Sequence, residues 1–151
     1  NFGVFYPLQT LSFNKKIDFT KTPILIESNS QKSLEKLKEL CQILEVEFEE
    51  VDSKKRLHYH LAASFANNFT NHILSLTDEL VNKFKLEKKF FIPIANETFK
   101  KFQSNKSKES QTGPAVRNDV KTLKKHEEIL KKSNYLNLYK IITKSIKKND
   151  L

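Results

Sequence analysis

The sequence contains no tryptophan and no methionine, and it is poor in glycine, cysteine and arginine. Two glycines (Gly3 and Gly113), one cysteine (Cys41) and two arginines (Arg56 and Arg117) stand in 151 residues. Two such distant glycines cannot form a G-x-G-x-x-G dinucleotide loop or a Walker A loop, both of which bring Cβ-free backbone against phosphate. A single cysteine excludes an internal disulfide and a multi-cysteine zinc site. No apolar run approaches the ~18 residues of a transmembrane helix. No basic-then-apolar N-terminal segment reads as a signal peptide, so the expected location is cytoplasmic, with no membrane partner. H-E-x-x-H spacing, a nucleophile elbow and paired carboxylates are all missing, which removes the usual signatures of metallohydrolases, serine hydrolases and glycosidases.

What is present is charge and phenylalanine. There are 12 Phe, and the net charge is +9. Residues 1–50 carry −2 and residues 51–151 carry +11. A basic half suits nucleic acid, but 25 of the 27 basic residues are lysine, and base-reading surfaces favour arginine. A solvated lysine surface is the simpler reading, and nucleic acid is not the expected partner.

The periodicity divides the chain. Residues 4–8 read as a strand stopping at Pro7, and residues 23–27 as a second, buried strand. After the turn Ser28-Asn29-Ser30, residues 31–44 read as a helix with Leu34, Leu37, Leu40, Cys41 and Leu44 on one face. Cys41 sits in that apolar stripe as a packed thiol. Residues 46–51 alternate apolar and acidic, a third strand. From residue 53 the period becomes helical without Gly or Pro to about residue 84. Shorter helices are expected over 92–104, 115–131 (with Pro114 leading in) and 135–148, with a polar loop at 105–112. The fold class is therefore α+β and mostly α: a β-β-α-β piece over 1–52, then an all-helical part over 53–151.

On a wheel of about 100° per residue, Ser64, Asn67 and Asn71 fall within about 40° of His60. Phe65, Phe69, Ile73, Leu76 and Leu80 lie opposite. The His-Ser-Asn-Asn stripe fits a solvent face or, being short and uncharged, a cleft that hydrogen-bonds a ligand. Further along, Asp119, Thr122 and His126 share a helix face, where an Asp–His pair could serve acid–base work or be ordinary surface. Arg117 suits a substrate carboxylate or phosphate, and equally a salt bridge with Asp119.

Four segments stand in order: Tyr6-Pro7-Leu8-Gln9-Thr10; the strand–helix–strand; Tyr59-His60-Leu61-Ala62-Ala63 through Asn67 and Asn68; and Thr112-Gly113-Pro114-Ala115-Val116-Arg117-Asn118-Asp119 with Thr122 and His126. This pattern resembles a family of Rossmann-like oxidoreductases whose second half is the domain of unknown function 2520. The chain departs from the family at Tyr6, where the pattern has a histidine. The resemblance implies an N-terminal NAD(P)-binding Rossmann half outside this chain, and here the end of that sheet followed by a bundle like the C-terminal domain of 6-phosphogluconate dehydrogenase. The stripe on the long helix and the later histidine give an expected catalytic set of His60, Asn67 and His126. The expected substrate-binding set is Ser64 and Asn71 from the stripe, with Gln9, Thr112, Gly113, Arg117, Asp119 and Thr122 brought in by the resemblance. A homodimer through the helical half and a small-molecule substrate complete the expectation, with NAD(P) serving the intact protein and no cofactor bound by this chain alone. A non-catalytic helical interaction domain and a nucleic-acid binder are the competing functions.

Overall fold

The structure, a computed structural model, describes residues 1–10, 18–104 and 107–148. The chain runs β1 (Gly3–Pro7), β2 (Ile24–Ser28), α1 (Gln31–Ile43), β3 (Phe48–Glu50), α2 (Ser53–Ala63), a π-helical segment Ser64–Phe69, α3 (Thr70–Lys83), α4 (Ile92–Gln103), α5 (Val120–Leu130) and α6 (Leu136–Lys148). Short 3-10 turns occupy Phe19–Lys21 and Lys88–Phe90. The protein is α+β and mostly helical, and the expected β-β-α-β order holds. Of the expected loop at 105–112, the first two residues lie outside the described residues.

Contacts group the chain into two compact units, Asn1–Leu86 and Glu87–Leu151. The sequence-based division at 52/53 marks a change of hydrophobic period. Contacts instead keep α2 and α3 with the sheet, because all three strands send side chains to α2.

In the first unit the strand order is β1-β2-β3, with β1 antiparallel and β3 parallel to β2. A parallel neighbour needs a crossover, and α1 supplies it. Val4 pairs with Glu27, Tyr6 with Leu25, and Leu25 with Glu49. Alternation therefore puts Tyr6, Leu25, Glu27 and Glu49 on one face and Phe5, Ile24, Ile26 and Phe48 on the other.

The second of these faces holds the core. Ile24 and Ile26 are 0% exposed, and they pack with Leu34, Cys41 and Val46, flanked by Phe5 and Leu37. Ser30 caps α1 by accepting from the Ser33 amide at 3.3 Å, which meets one of the unpaired donors of the first turn. Gly3 lets strand and helix close: a Cβ there would come within 2.9 Å of Leu37 Cδ1. Burial raises the pKa of the Cys41 thiol, as expected of a packed cysteine.

The other face buries Leu25, 2% exposed, and around it is polar. Ser53 donates to Glu27 at 2.7 Å, and Arg56 forms an ion pair with Glu27. Lys55 and Tyr59 both bond Glu49, and Tyr6 bonds His60. No residue of α2 is buried. Its apolar residues lie on the far side, where Leu57 is 65% and Leu61 56% exposed. The helix is amphipathic in the inverted sense, polar side on the sheet and apolar side outward.

In the second unit, α5 begins later than its apolar pattern suggests. The expected helix from residue 115 starts instead at Val120. Asn118 has φ of 50°, Gly113 φ of 110°, and Asp119 takes the N-cap with its side chain on the Thr122 amide at 3.0 Å. A left-handed residue ends any earlier helix, and the cap starts a new one. Leu123 and Leu130 are buried on α5. α5 and α6 are joined by His126–Tyr139 and by Lys140–Glu127 at 3.4 Å.

Candidate functional site

The strand end carrying Tyr6 and the helix carrying His60 meet. Tyr6 Oη and His60 Nδ1 are 2.9 Å apart, and the rings lie edge-on at 6.5 Å. The partners are 54 residues apart in sequence. One turn along, the Ser64 hydroxyl donates to the His60 carbonyl at 3.0 Å. Gln9, just beyond β1, folds back, its Oε1 accepting from the amide and hydroxyl of Thr10 at 2.9 and 3.1 Å.

The wheel that aligned Asn71 with His60 assumes an unbroken α-helix. The structure has a π-helical segment of six residues, Ser64–Phe69, in the middle. Hydroxyls on either side reach four residues back, Ser64 to His60 and Thr77 to Ile73, but Thr70 reaches five back, to the Phe65 carbonyl at 3.0 Å. A π turn takes in one extra residue, so everything beyond it is rotated by about one residue, about 100°. Asn71 thus leaves the His60 stripe, while Asn67 lies within the π segment, its amide donating to Asn68 at 3.3 Å. The same rotation brings Ile73 and Leu80 into line with Leu57 and Leu61. Phe65 stacks edge-on with Phe69 at 4.9 Å, and Phe65, Phe69 and Ile73 are exposed.

In the second unit Asp119 and Thr122 of the expected Asp119–Thr122–His126 row are hydrogen-bonded to each other, and His126 bonds elsewhere. Asp119 Oδ2 accepts from the Thr122 hydroxyl at 2.7 Å while its Oδ1 holds the Thr122 amide. These bonds, aided by the charges of Arg117 and His126, hold Asp119 below the usual carboxylate range. His126 bonds Tyr139 instead, Nδ1 to Oη at 2.8 Å. Arg117 is exposed, and its amide closes the turn onto the Gly113 carbonyl at 3.3 Å. No ion pair joins its guanidinium to Asp119 among the described residues. Thr112 is exposed, its carbonyl accepting from Gln111 at 3.1 Å.

Tyr6, Tyr139 and Glu27 escape a reading of the sequence alone. Tyr6 stands out there only as a departure from a pattern, and nothing local announces its bond to His60. No group of three or more potential metal ligands clusters among the described residues. Likewise, no described helix is long and apolar enough to cross a membrane.

Neither the turn into α1 nor the turn into α2 fits a nicotinamide dinucleotide. Its pyrophosphate needs free amides where a strand feeds a helix. At the turn into α1 the Ser30 side chain already holds the Ser33 amide, and at the turn into α2 the Asp52 carboxylate takes the Lys55 amide at 2.6 Å. Neither turn contains glycine, and the second places negative charge where phosphate would lie.

A solved structure from Bacteroides fragilis, named "putative NADP oxidoreductase", is 36% identical over 97% of this chain and 57% of its own, with a TM-score of 0.88. A protein from Thermotoga maritima shares the fold at 22% identity and a TM-score of 0.73, over 97% of this chain and 60% of its own. The chain thus spans under two thirds of either relative. None of the curated proteins matches. The family model described as "domain of unknown function (DUF2520)" matches residues 22–146, and the chain belongs to that family.

Proposed function

We propose that this chain is the substrate-binding and dimer-forming part of an NADP-dependent oxidoreductase whose dinucleotide is held outside these residues. The observation that carries the reading is the Tyr6–His60 bond. It brings the Tyr-Pro-Leu-Gln-Thr strand end against the helix bearing the Tyr-His-x-Ala-Ala segment. A substrate cleft is then lined by His60, Ser64 and Asn67, with Gln9 at the strand end. Within the second unit, taken by itself, the Arg117 guanidinium beside the Thr112–Gly113 turn suits an anionic group.

The exposed apolar strip Leu57, Leu61, Phe65, Phe69 and Ile73 supports a homodimer. Large contiguous apolar surface marks an interface, and a two-fold contact is its commonest closed form. Sedimentation at micromolar concentration tests this: a 17.7 kDa monomer at moderate salt overturns it. The oxidoreductase reading is tested by the coding sequence before Asn1. A strand, G-x-G-x-x-G and helix there is the expected result, and an unrelated segment overturns it.

A further inference from the structure

The chain has four histidines, His58, His60, His72 and His126. Two of them bond a tyrosine, and both do so through Nδ1: His60 to Tyr6 at 2.9 Å and His126 to Tyr139 at 2.8 Å. In both pairs the rings meet edge-on, at interplanar angles of 70° and 78°. The pairs lie in different units and join different elements, β1 with α2 and α5 with α6. The same chemistry has therefore been built twice. No hydrogen bond of either Nε2 exists among the described residues, and His58 and His72 have no such tyrosine.

A neutral imidazole carries one proton, and the bond at one nitrogen decides where it sits. A phenol O–H is a good donor and its oxygen a poor acceptor, because the lone pair is shared with the ring. An imidazole nitrogen without hydrogen is the stronger acceptor. The favoured arrangement is O–H to Nδ1, which leaves the ring proton on Nε2. A histidine held this way is a donor and not a base.

We propose that Tyr6 and Tyr139 are positioning residues that lock His60 and His126 in the Nε2–H tautomer. Each histidine is then a neutral N–H donor, and His60 offers its N–H to an acceptor oxygen of the ligand, a carbonyl or carboxylate. The ligand part of this rests on the substrate-cleft reading above; the tautomer part does not. It also gives Tyr6 a role where the family pattern has histidine: the tyrosine acts through His60 rather than exchanging a proton with substrate.

The test is a long-range 1H–15N correlation spectrum of the 15N-histidine-labelled chain at about pH 9, where imidazole is neutral. His60→Asn and His126→Asn spectra assign the rings. The expected result is full separation of the two ring nitrogens in His60 and His126, with Nε2 protonated, and an averaged, smaller separation in His58 and His72. Tyr6→Phe should collapse the separation for His60 alone, and Tyr139→Phe for His126 alone. Protonated Nδ1, averaging in the wild-type chain, or separations indifferent to the Phe substitutions each overturn the proposal. Should a Phe variant fail to fold, the wild-type tautomers still decide. A negative result leaves the oxidoreductase reading standing, since that depends on the sequence before Asn1 and not on a tautomer.

Discussion

The two faces of the small sheet hold their helices by opposite means. On one side Ile24 and Ile26 are sealed under Leu34 and Cys41 of α1. On the other, where Leu25 is also buried, α2 has no buried residue of its own and is tied by one side chain from each strand: Tyr6 to His60, Glu27 to Ser53 and Arg56, Glu49 to Lys55 and Tyr59. Apolar burial is non-directional and tolerates sliding. Hydrogen bonds and ion pairs fix position and rotation, because each needs its partner at one distance and angle. The α1 side therefore supplies stability, and the α2 side supplies aim. The residue being aimed is His60.

The comparison can be broken most forcefully on the apolar side. Ile26→Ala removes three carbons from a fully buried position, and it should cost about 2–5 kcal/mol, read from the denaturant midpoint at unchanged m. On the polar side, Glu27→Ala strips Arg56 of its partner at a site where both side chains are mostly covered, 21% and 23% exposed. About 1–3 kcal/mol is expected, since a desolvated charge is left unpaired. The double variant with Arg56→Met should recover part of it, and a full loss in the double variant would show that packing rather than charge holds α2. Tyr6→Phe removes one hydrogen bond from a half-exposed pair and should cost no more than about 0.5–1.5 kcal/mol.

The gentlest probe is solution condition. Hydrogen bonds from Lys55 and Tyr59 lower the pKa of Glu49 below its ordinary 4.5. A lowered folded-state pKa means stability present above that value and lost as pH falls through the folded one. Its bonds to Glu49 raise Lys55 from 10.5 and Tyr59 from 10.0, so their contribution is present below those values and lost as pH rises through the folded ones. The clamp of α2 should thus loosen at both ends of the pH range, while the α1 core keeps its amide protection as pH falls and weakens only at the alkaline end, where the buried Cys41 thiol, its pKa raised, is forced to ionise. Hydrogen exchange of α1 and α2 amides across pH reads this directly. Equal loosening of both helices would remove the contrast.

Local order is what the sequence determined. Leu34, Leu37 and Cys41 at helical spacing, alternation through Phe48, and an uninterrupted helical run after Asp52 each depend on near neighbours. Side-chain period and capping chemistry follow from local geometry. The late start of α5 was equally local, written in Asn118 and the Asp119–Thr122 cap, although the apolar pattern and Pro114 point to an earlier start. Three features belong to tertiary structure alone. Tyr6 meets His60 because strand register and helix rotation bring 54 residues of separation to 2.9 Å. The π segment Ser64–Phe69 changes which residues share a face, and no side-chain pattern marks it, since one extra backbone residue per turn leaves composition untouched. The inverted setting of α2 was hidden for the same reason: an apolar stripe says that a helix has two sides, and only the acids of β2 and β3 decided which side meets the sheet.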